Sequence, residues 1–216
     1  METAQLIDGL IFYLGLLVLL TFHEFGHAWT AWKCGDDTAY SQGRVSINPL
    51  VHMDLLGTVV LPLVMIFVAP GGFLVGWAKP VPVDTDNLRN PRADDVLVTL
   101  AGPWMNLLLA VGLMALARLG YSFHANGFYQ LCLGLSHLSL LLCFFNLLPI
   151  PPLDGSHVLR NFIGMSQETY QQFARFGIFG LILVLQVPLI QRLLAVTTTN
   201  SWLTIAGWFG LPLAAR

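Results

Sequence analysis

The sequence predicts an all-α, polytopic membrane protein with about four to six transmembrane helices. Composition is the first observation behind this fold class. Hydrophobic residues make up 56% of the 216 residues and charged residues only 10%, whereas ordinary globular domains carry about 25% charged residues. The second observation is that several apolar runs are long enough to cross a bilayer. The formal net charge of -2 argues against nucleic acid as a partner, because nucleic-acid binding requires a basic face.

The first predicted helix covers residues 5–33, which is about 43 Å at the helical rise and enough to cross with some tilt. Trp29, Trp32 and Lys33 lie at its far end, in the pattern expected at a membrane interface. The start of the chain lacks the basic residues and the small-residue cleavage site of a signal peptide. We therefore expect this helix to be retained.

A metal-binding motif, His23-Glu24-Phe25-Gly26-His27, lies inside this helix. Residues four apart share a helix face, so the two histidines can bind one metal ion. Glu24, beside the first histidine, can act as a base toward water at that metal. Placing three ionisable side chains in an apolar segment long enough to span a bilayer costs free energy. This cost favours a functional role over a polar helix face packed against a partner helix.

A polar stretch follows, in which the alternation of residue types near 40–48 predicts a short β-hairpin. His52 and Asp54 come after it. We interpret both as loop residues, with a supporting or gating role at the metal site as the alternative.

The next apolar segment is short. Residues 55–69 span about 22 Å, less than the roughly 30 Å hydrocarbon layer, and Pro62 interrupts them. The segment 55–77 therefore either crosses as a broken helix or re-enters the face from which it came.

Two further spanning helices are predicted at 96–119 and 128–148. Asn106 in the first is interpreted as an interhelical hydrogen-bonding residue. His137 in the second is interpreted as a hydrogen-bonded core residue.

A proline-rich segment ends the second of these helices and leads to Asp154. The prolines cannot extend the helix, so Asp154 lies on irregular backbone at or near membrane depth. Such backbone persists only where it is buried in protein or lines a wet cavity, which makes Asp154 the natural third metal ligand. Two alternatives remain: Asp154 as the N-cap of a helix at 155–164, and His157 as a competing ligand.

Basic residues provide a test of topology. If 55–77 enters and returns, Asp154 emerges on the same side as the two histidines. Most basic residues of the first half of the chain then share that side as well, namely Lys33, Arg44, Lys79, Arg89 and Arg92. The positive-inside rule makes this side cytoplasmic. We therefore expect the active site to lie nearer the cytoplasmic face, with Arg118 as the exception on the other side.

With these residues assembled, the chain resembles the site-2 protease family of intramembrane zinc metalloproteases, and in particular its small members without PDZ or CBS domains. The matching motifs cover most of residues 20–160. In chain order they are His23-Glu24-x-x-His27, Gly76-Trp77-Ala78-Lys79-Pro80-Val81-Pro82, Ala101-Gly102-Pro103-x-x-Asn106 and Asn146-x-x-Pro149-x-Pro151-x-Leu153-Asp154-Gly155. Ser156 departs from the family pattern, because many members have a second glycine there.

The resemblance implies one Zn²⁺ held by His23, His27 and Asp154, with Glu24 as the catalytic base. It implies that Asn146 helps to position or stabilise the peptide carbonyl of the substrate. The implied reaction is hydrolysis of peptide bonds within or next to transmembrane segments of membrane proteins, in the lipid bilayer. The alternative is a non-catalytic metal-binding membrane protein, such as a carrier, sensor or scaffold, in which Glu24 would be dispensable.

We expect residues 1–216 to form a single transmembrane metalloprotease domain with its catalytic core at about 5–160. Additional C-terminal helices are expected within 171–214, with a span at 171–190 and a short interfacial segment at 202–214. If the chain is bacterial, the cell membrane is the expected location. The sequence specifies neither the individual substrate nor the oligomeric state.

Overall fold

The computed structural model describes residues 3–68 and 76–212, and every regular element within them is helical. The α-helices are α1 Thr3–Cys34, α2 Thr38–Ser41, α3 Leu61–Val68, α4 Pro91–Ser122, α5 Asn126–Asn146, α6 Asp154–Ile163, α7 Gln167–Ala174, α8 Gly177–Leu185 and α9 Pro188–Trp208. Short 3₁₀ turns occupy Pro49–Val51 and Thr85–Asn87, and a π-helical turn at Leu55–Val60 leads directly into α3. The predicted all-α class is confirmed.

Among the described residues, three helices are long and apolar enough to cross a membrane: Leu6–Cys34 within α1, α4 and α5. The pair α8 and α9 counts as a fourth if it forms one broken span, although the two helices are bent by 80° at their junction. The described residues thus provide three or four spans, at or just below the lower end of the predicted four to six.

Helix α4 is the central element, because it contacts α1, α5 and α6. Its small and apolar residues Ala110, Met114 and Ala117 are fully buried in a core shared with α5 and α9. The contact with α1 is close at Gly26, where an added Cβ would lie 2.8 Å from the carbonyl oxygen of Ala101. Glycine at this position lets the two helices that carry the metal-site residues approach each other.

The β-hairpin predicted near 40–48 is wrong, because no strand occurs there. Side chains and nearby turns satisfy the backbone instead. The N–H of Arg44 donates to the carbonyl of Ala39 at 2.8 Å, and that of Asn48 donates to the Ser46 hydroxyl at 3.1 Å. The ring Nε2 of His52 donates to the Ser46 carbonyl at 2.7 Å. Local bonds of this kind compete with the pairing that a strand requires.

The segment after the π-helical turn returns to its starting point. The N–H of Trp77 donates to the carbonyl of Gly57 at 3.2 Å, and the Thr58 hydroxyl donates to the Trp77 carbonyl at 2.7 Å. A Cβ at position 57 would lie 2.2 Å from the Trp77 ring, so this close return requires Gly57. Residues 69–75 lie outside the described residues. The two described ends favour re-entry over crossing.

The single span predicted at 171–190 is wrong. Helix α7 ends at Ala174, α8 ends at Leu185, and Pro188 occupies the first position of α9. Proline starts a helix well but cannot donate to a preceding turn, so α8 cannot continue through it. The predicted interfacial segment at 202–214 belongs, as far as Trp208, to the long helix α9.

Candidate metal centre

Helix α1 presents two histidine side chains toward the protein interior. His23 and His27 are 5% and 8% exposed, and their Nε2 atoms face each other at 3.1 Å. The four-residue spacing places both rings on the face of α1 that packs against α4.

The turn before α6 brings Asp154 to these rings. One carboxylate oxygen lies 3.2 Å from His23 Nε2, and the other lies 3.5 Å from His27 Nε2. The turn is tight, because a Cβ at Gly155 would lie 2.2 Å from the Leu147 carbonyl oxygen. The N-cap residue of α6 is Leu153, so the Asp154 carboxylate does not serve as the helix cap that the alternative interpretation predicted.

The three side chains meet the requirements of a zinc site. Their ligand atoms lie within 4.8 Å of one another, and Oδ2 of Asp154 is buried without a hydrogen-bond partner. Ligand atoms at 2.0–2.2 Å from a tetrahedral zinc lie about 3.3–3.6 Å from each other. The shortest separations here are 3.1, 3.2 and 3.5 Å. Two imidazoles and one carboxylate are also a donor set of catalytic zinc sites, which leave one position open.

Backbone and side-chain groups of α4 orient the two rings. The Nδ1–H of His27 donates to the carbonyl of Val98 at 2.7 Å. In a neutral imidazole this leaves a lone pair on Nε2, which is the form that binds metal. The side-chain amide of Asn106, fully buried, lies 3.1 Å from Nδ1 of His23. The amide atom nearest His23 is Nδ2, and Oδ1 has no hydrogen-bond partner. An amide turned so that Oδ1 accepts from Nδ1–H would fix His23 in the same form.

Helix α4 also leaves the space in which the rings lie. A Cβ added at Gly102 would lie 2.3 Å from Nε2 of His27 and 2.6 Å from Cε1 of His23. Real Cβ atoms do not approach other atoms so closely. Glycine is therefore required beside the ligand atoms.

Glu24 faces the extended segment that begins at Trp77. Its Oε2 accepts a hydrogen bond from the N–H of Val81 at 3.1 Å. The Arg44 side chain is buried beside this segment and donates to the carbonyl oxygens of Lys79 at 2.6 Å and Pro80 at 3.3 Å. Burial lowers the pKa of the Arg44 guanidinium, although the Glu24 carboxylate acts in the opposite direction. The base candidate thus accepts a hydrogen bond from the same backbone segment that Arg44 binds.

Helix α6 is attached to α4 through a buried polar network. The guanidinium of Arg160 donates to Asp95 at 2.6 Å, and the Asn161 side chain donates to the same carboxylate oxygen. Near the start of α6, the Ser156 hydroxyl pairs with the Tyr170 hydroxyl at 2.8 Å. This network fixes the helix whose first residue is Asp154.

The remaining residues singled out in the sequence lie outside the ligand cluster of the described residues. Asn146 ends α5, and its amide donates to the Leu142 carbonyl of its own helix at 3.0 Å. The His157 ring packs against Tyr170 instead of joining the ligands. His52 supports the loop at Ser46, and the half-buried His137 ring contacts the Trp202 ring.

Sequence reasoning missed the contributions of Gly102, Arg44 and the Val98 carbonyl. Gly102 lies in the Ala101-Gly102-Pro103-x-x-Asn106 motif. The motif draws attention to this glycine, but it does not indicate that the glycine packs against the two histidine rings. Arg44 was considered only as a charge that reports topology. Val98 acts through its backbone, so its side chain gives no signal at all.

Sequence comparison finds a matching family model and several relatives for this chain. The model of peptidase family M50 matches residues 11–125 and 116–186 of the chain. YwhC of Bacillus subtilis, provisionally named a zinc metalloprotease, is 42% identical over 159 residues, which are 68% of this chain and 67% of the relative. Rip2 of Mycobacterium tuberculosis, with the same provisional name, is 36% identical over 189 residues, or 87% of this chain and 68% of the relative.

An archaeal relative extends the similarity. MJ0611 of Methanocaldococcus jannaschii, also provisionally named a zinc metalloprotease, is 31% identical over 159 residues, covering 70% of this chain and 71% of its own. No solved structure gives a significant match. The family match covers well over half of the chain, and with the motifs and apolar helices described above it shows that the chain belongs to peptidase family M50, the site-2 protease family of intramembrane zinc metalloproteases.

Proposed function

We propose that His23, His27 and Asp154 hold the catalytic zinc and that Glu24 is the general base for hydrolysis of a peptide bond in or next to a substrate's transmembrane segment. The observation that carries this proposal is the convergence of three ligand atoms within 4.8 Å beside a carboxylate on the same helix. When bound, zinc supplies Lewis acidity and an open coordination position at neutral pH.

Each protein group then has a defined task. Glu24 accepts a proton from water as the water oxygen forms a bond to the peptide carbonyl carbon. It later delivers a proton to the leaving amine nitrogen as the C–N bond breaks. Asn146, at the end of α5, is proposed to donate its amide to the peptide carbonyl oxygen. In the absence of substrate its amide donates to the Leu142 carbonyl, so this role requires the side chain to turn.

The catalytic core is proposed to lie within about residues 5–160 of a single transmembrane domain, with the metal site nearer the cytoplasmic face of the cell membrane. The hydrogen bond from the Arg89 N–H to the Cys34 carbonyl, at 3.0 Å, supports this orientation, because it joins the start of α4 to the end of α1. The contacts of Arg44 with Lys79 add two more basic residues to the same end of the molecule. Reporter fusions at Gly43 and Val83 test the orientation, and both should report the cytoplasm.

The catalytic assignment is tested by zinc content and cleavage of a synthetic membrane-spanning peptide, measured on the same purified samples. Glu24→Gln should retain zinc and lose cleavage, because glutamine cannot accept the proton. Asp154→Ala should lose both, because it removes a ligand. Glu168→Gln makes the same chemical change as Glu24→Gln at an exposed position of α7 and should behave as wild type. Full cleavage by Glu24→Gln would contradict the assignment and favour a non-catalytic metal-binding protein.

A further inference from the structure

The extended segment from Trp77 to Asp84 is held at both ends by groups from elsewhere in the chain. At its start, the N–H of Lys79 donates to the His52 carbonyl at 2.8 Å, next to the bonds that join Trp77 to Gly57 and Thr58 of the π-helical turn. At its end, the N–H of Asp84 donates to the buried Asp36 carboxylate at 2.8 Å. The middle of the segment is thereby brought over the metal-binding face of α1.

The middle of this segment has a single backbone donor. Pro80 and Pro82 carry no N–H, so Val81 has the only one between Lys79 and Val83. That N–H donates to Oε2 of Glu24 at 3.1 Å. No neighbouring backbone donor can replace it.

Arg44 holds the two peptide groups that precede this donor. Its Nη2 donates to the carbonyl oxygens of Lys79 at 2.6 Å and Pro80 at 3.3 Å. The side chain is only 4% exposed, and its Nε is buried without a partner. A guanidinium is costly to bury, and hydrogen bonds from its N–H groups offset part of that cost. Here they fix the peptide plane that joins Pro80 to Val81, and with it the direction of the Val81 N–H.

We propose that Arg44 is a positioning residue for the protease reaction: it orients the Val81 N–H, which in turn fixes the Glu24 carboxylate beside the histidine pair. The carboxylate keeps its remaining lone pairs for the proton of water while one is held by the amide. This inference rests on the proposed role of Glu24 as base. The hydrogen bonds of the Arg44 side chain go to backbone carbonyls and not to the three proposed metal ligands.

Hydrogen–deuterium exchange tests the physical part of the proposal without any activity measurement. In fragments that cover residues 80–82, Val81 contributes the only backbone amide, so uptake there reports one hydrogen bond. Arg44→Gln should accelerate exchange of this amide about tenfold or more, with α1 and α4 unchanged. Arg44→Lys, which retains the charge and one donor, should be intermediate. Arg92→Gln, at an exposed position of α4, should match wild type.

Two exchange results would overturn the proposal. Unchanged Val81 exchange in Arg44→Gln would show that the guanidinium does not orient this amide. Accelerated exchange throughout α1 and α4 would show that Arg44 stabilises the fold in general. Both results can be obtained even if the purified wild-type protein cleaves no peptide, so failure of the proposed function is distinguishable from failure of this inference.

Kinetics on the zinc-loaded protein tests the functional part. Arg44→Gln should lower kcat for the membrane-spanning peptide about tenfold to a hundredfold, with KM and zinc content close to wild type. Val81→Pro removes the donor directly and should have a similar effect. If Arg44 acts through Val81, the double variant is no worse than the poorer single variant. Multiplied effects in the double variant, or a change confined to KM, would contradict the proposal.

Discussion

Substitution of Gly102 by alanine tests the metal centre without removing any ligand. The added methyl group would lie 2.3 Å from Nε2 of His27 and 2.6 Å from Cε1 of His23. Ordinary contact between such atoms is about 3.5 Å, so the rings must move by about 1 Å. The backbone itself tolerates alanine, because Gly102 lies within the regular helix α4 and has no positive φ.

The expected magnitude follows from the tolerance of zinc for displaced ligands. Bond lengths in zinc sites hold to within about 0.2 Å, so a ring shifted by about 1 Å no longer binds properly. Substitution of residues that only orient a ligand typically costs about tenfold to a hundredfold in metal affinity. We therefore expect Gly102→Ala to weaken zinc binding at least a hundredfold, or about 2.7 kcal/mol. Thermal stability of the metal-free protein should not fall correspondingly, since alanine favours helix over glycine.

The assay is zinc retention during dialysis against buffers of increasing chelator strength, with metal quantified by mass spectrometry and folding followed by circular dichroism. Gly112→Ala is the matched control, because Gly112 lies on the same helix and an added Cβ there meets nothing within 4 Å. Equal zinc retention in the Gly102→Ala and Gly112→Ala variants would refute the proposed position of the metal.

Three further predictions concern the surroundings of the site. Asn106→Ala should weaken zinc binding about tenfold to a hundredfold, because it removes the group that orients His23, and equilibrium dialysis measures the change. Arg160→Met should destabilise the protein by about 3–5 kcal/mol in denaturant unfolding, since it leaves the Asp95 carboxylate buried without its cation. Burial raises the pKa of Asp36, but the hydrogen bonds that its carboxylate accepts outweigh burial and hold the pKa below its ordinary value. The stabilisation by Asp36 relative to Asp36→Asn should therefore be full above pH 4 or so and disappear as the pH falls through the lowered pKa, as measured by melting temperature against pH.

The parts of the site that depend on local sequence could be predicted. The spacing of His23 and His27 fixes a shared helix face whatever the rest of the chain does. Asp154 is predicted as the third ligand because the prolines force irregular backbone near membrane depth. Such backbone persists only where it is buried in protein or lines a wet cavity. The structure brings ligand atoms of these three side chains within 4.8 Å of one another, and their role as metal ligands stays a prediction. The spanning helices α1, α4 and α5 were also predicted, because length and hydropathy decide them.

The parts that depend on contacts between distant segments could not be predicted. The Val98 carbonyl orients His27 only because α4 packs against α1 in one register. The bond goes to a backbone atom, so the identity of residue 98 gives no indication of it. The alternation near 40–48 favoured a hairpin, yet the pairing partner of a strand is a tertiary feature. Here side chains such as His52 satisfied the backbone instead. Arg44 likewise gave no sign of its carbonyl partners, which lie 35 and 36 residues away in sequence.

The register between α1 and α4 provides an independent argument that the segment 55–77 re-enters. His27 lies seven residues before the end of α1 at Cys34, and Val98 lies seven residues after the start of α4 at Pro91. At 1.5 Å per residue, both are about 10 Å from the helix ends, and those ends are joined by the hydrogen bond from Arg89 to Cys34.

The distances from the two helix ends also match one helical turn farther along each helix. His23 and Gly102 are each eleven residues from those ends, or about 16 Å along the helix. If the end of α1 and the start of α4 lie at the same face, the antiparallel packing places His27 level with Val98 and His23 level with Gly102. A chain that crossed the membrane between residues 55 and 77 would begin α4 at the opposite face, and Val98 and Gly102 would then lie at other depths than His27 and His23. The contacts of both histidines with α4 therefore favour re-entry over crossing.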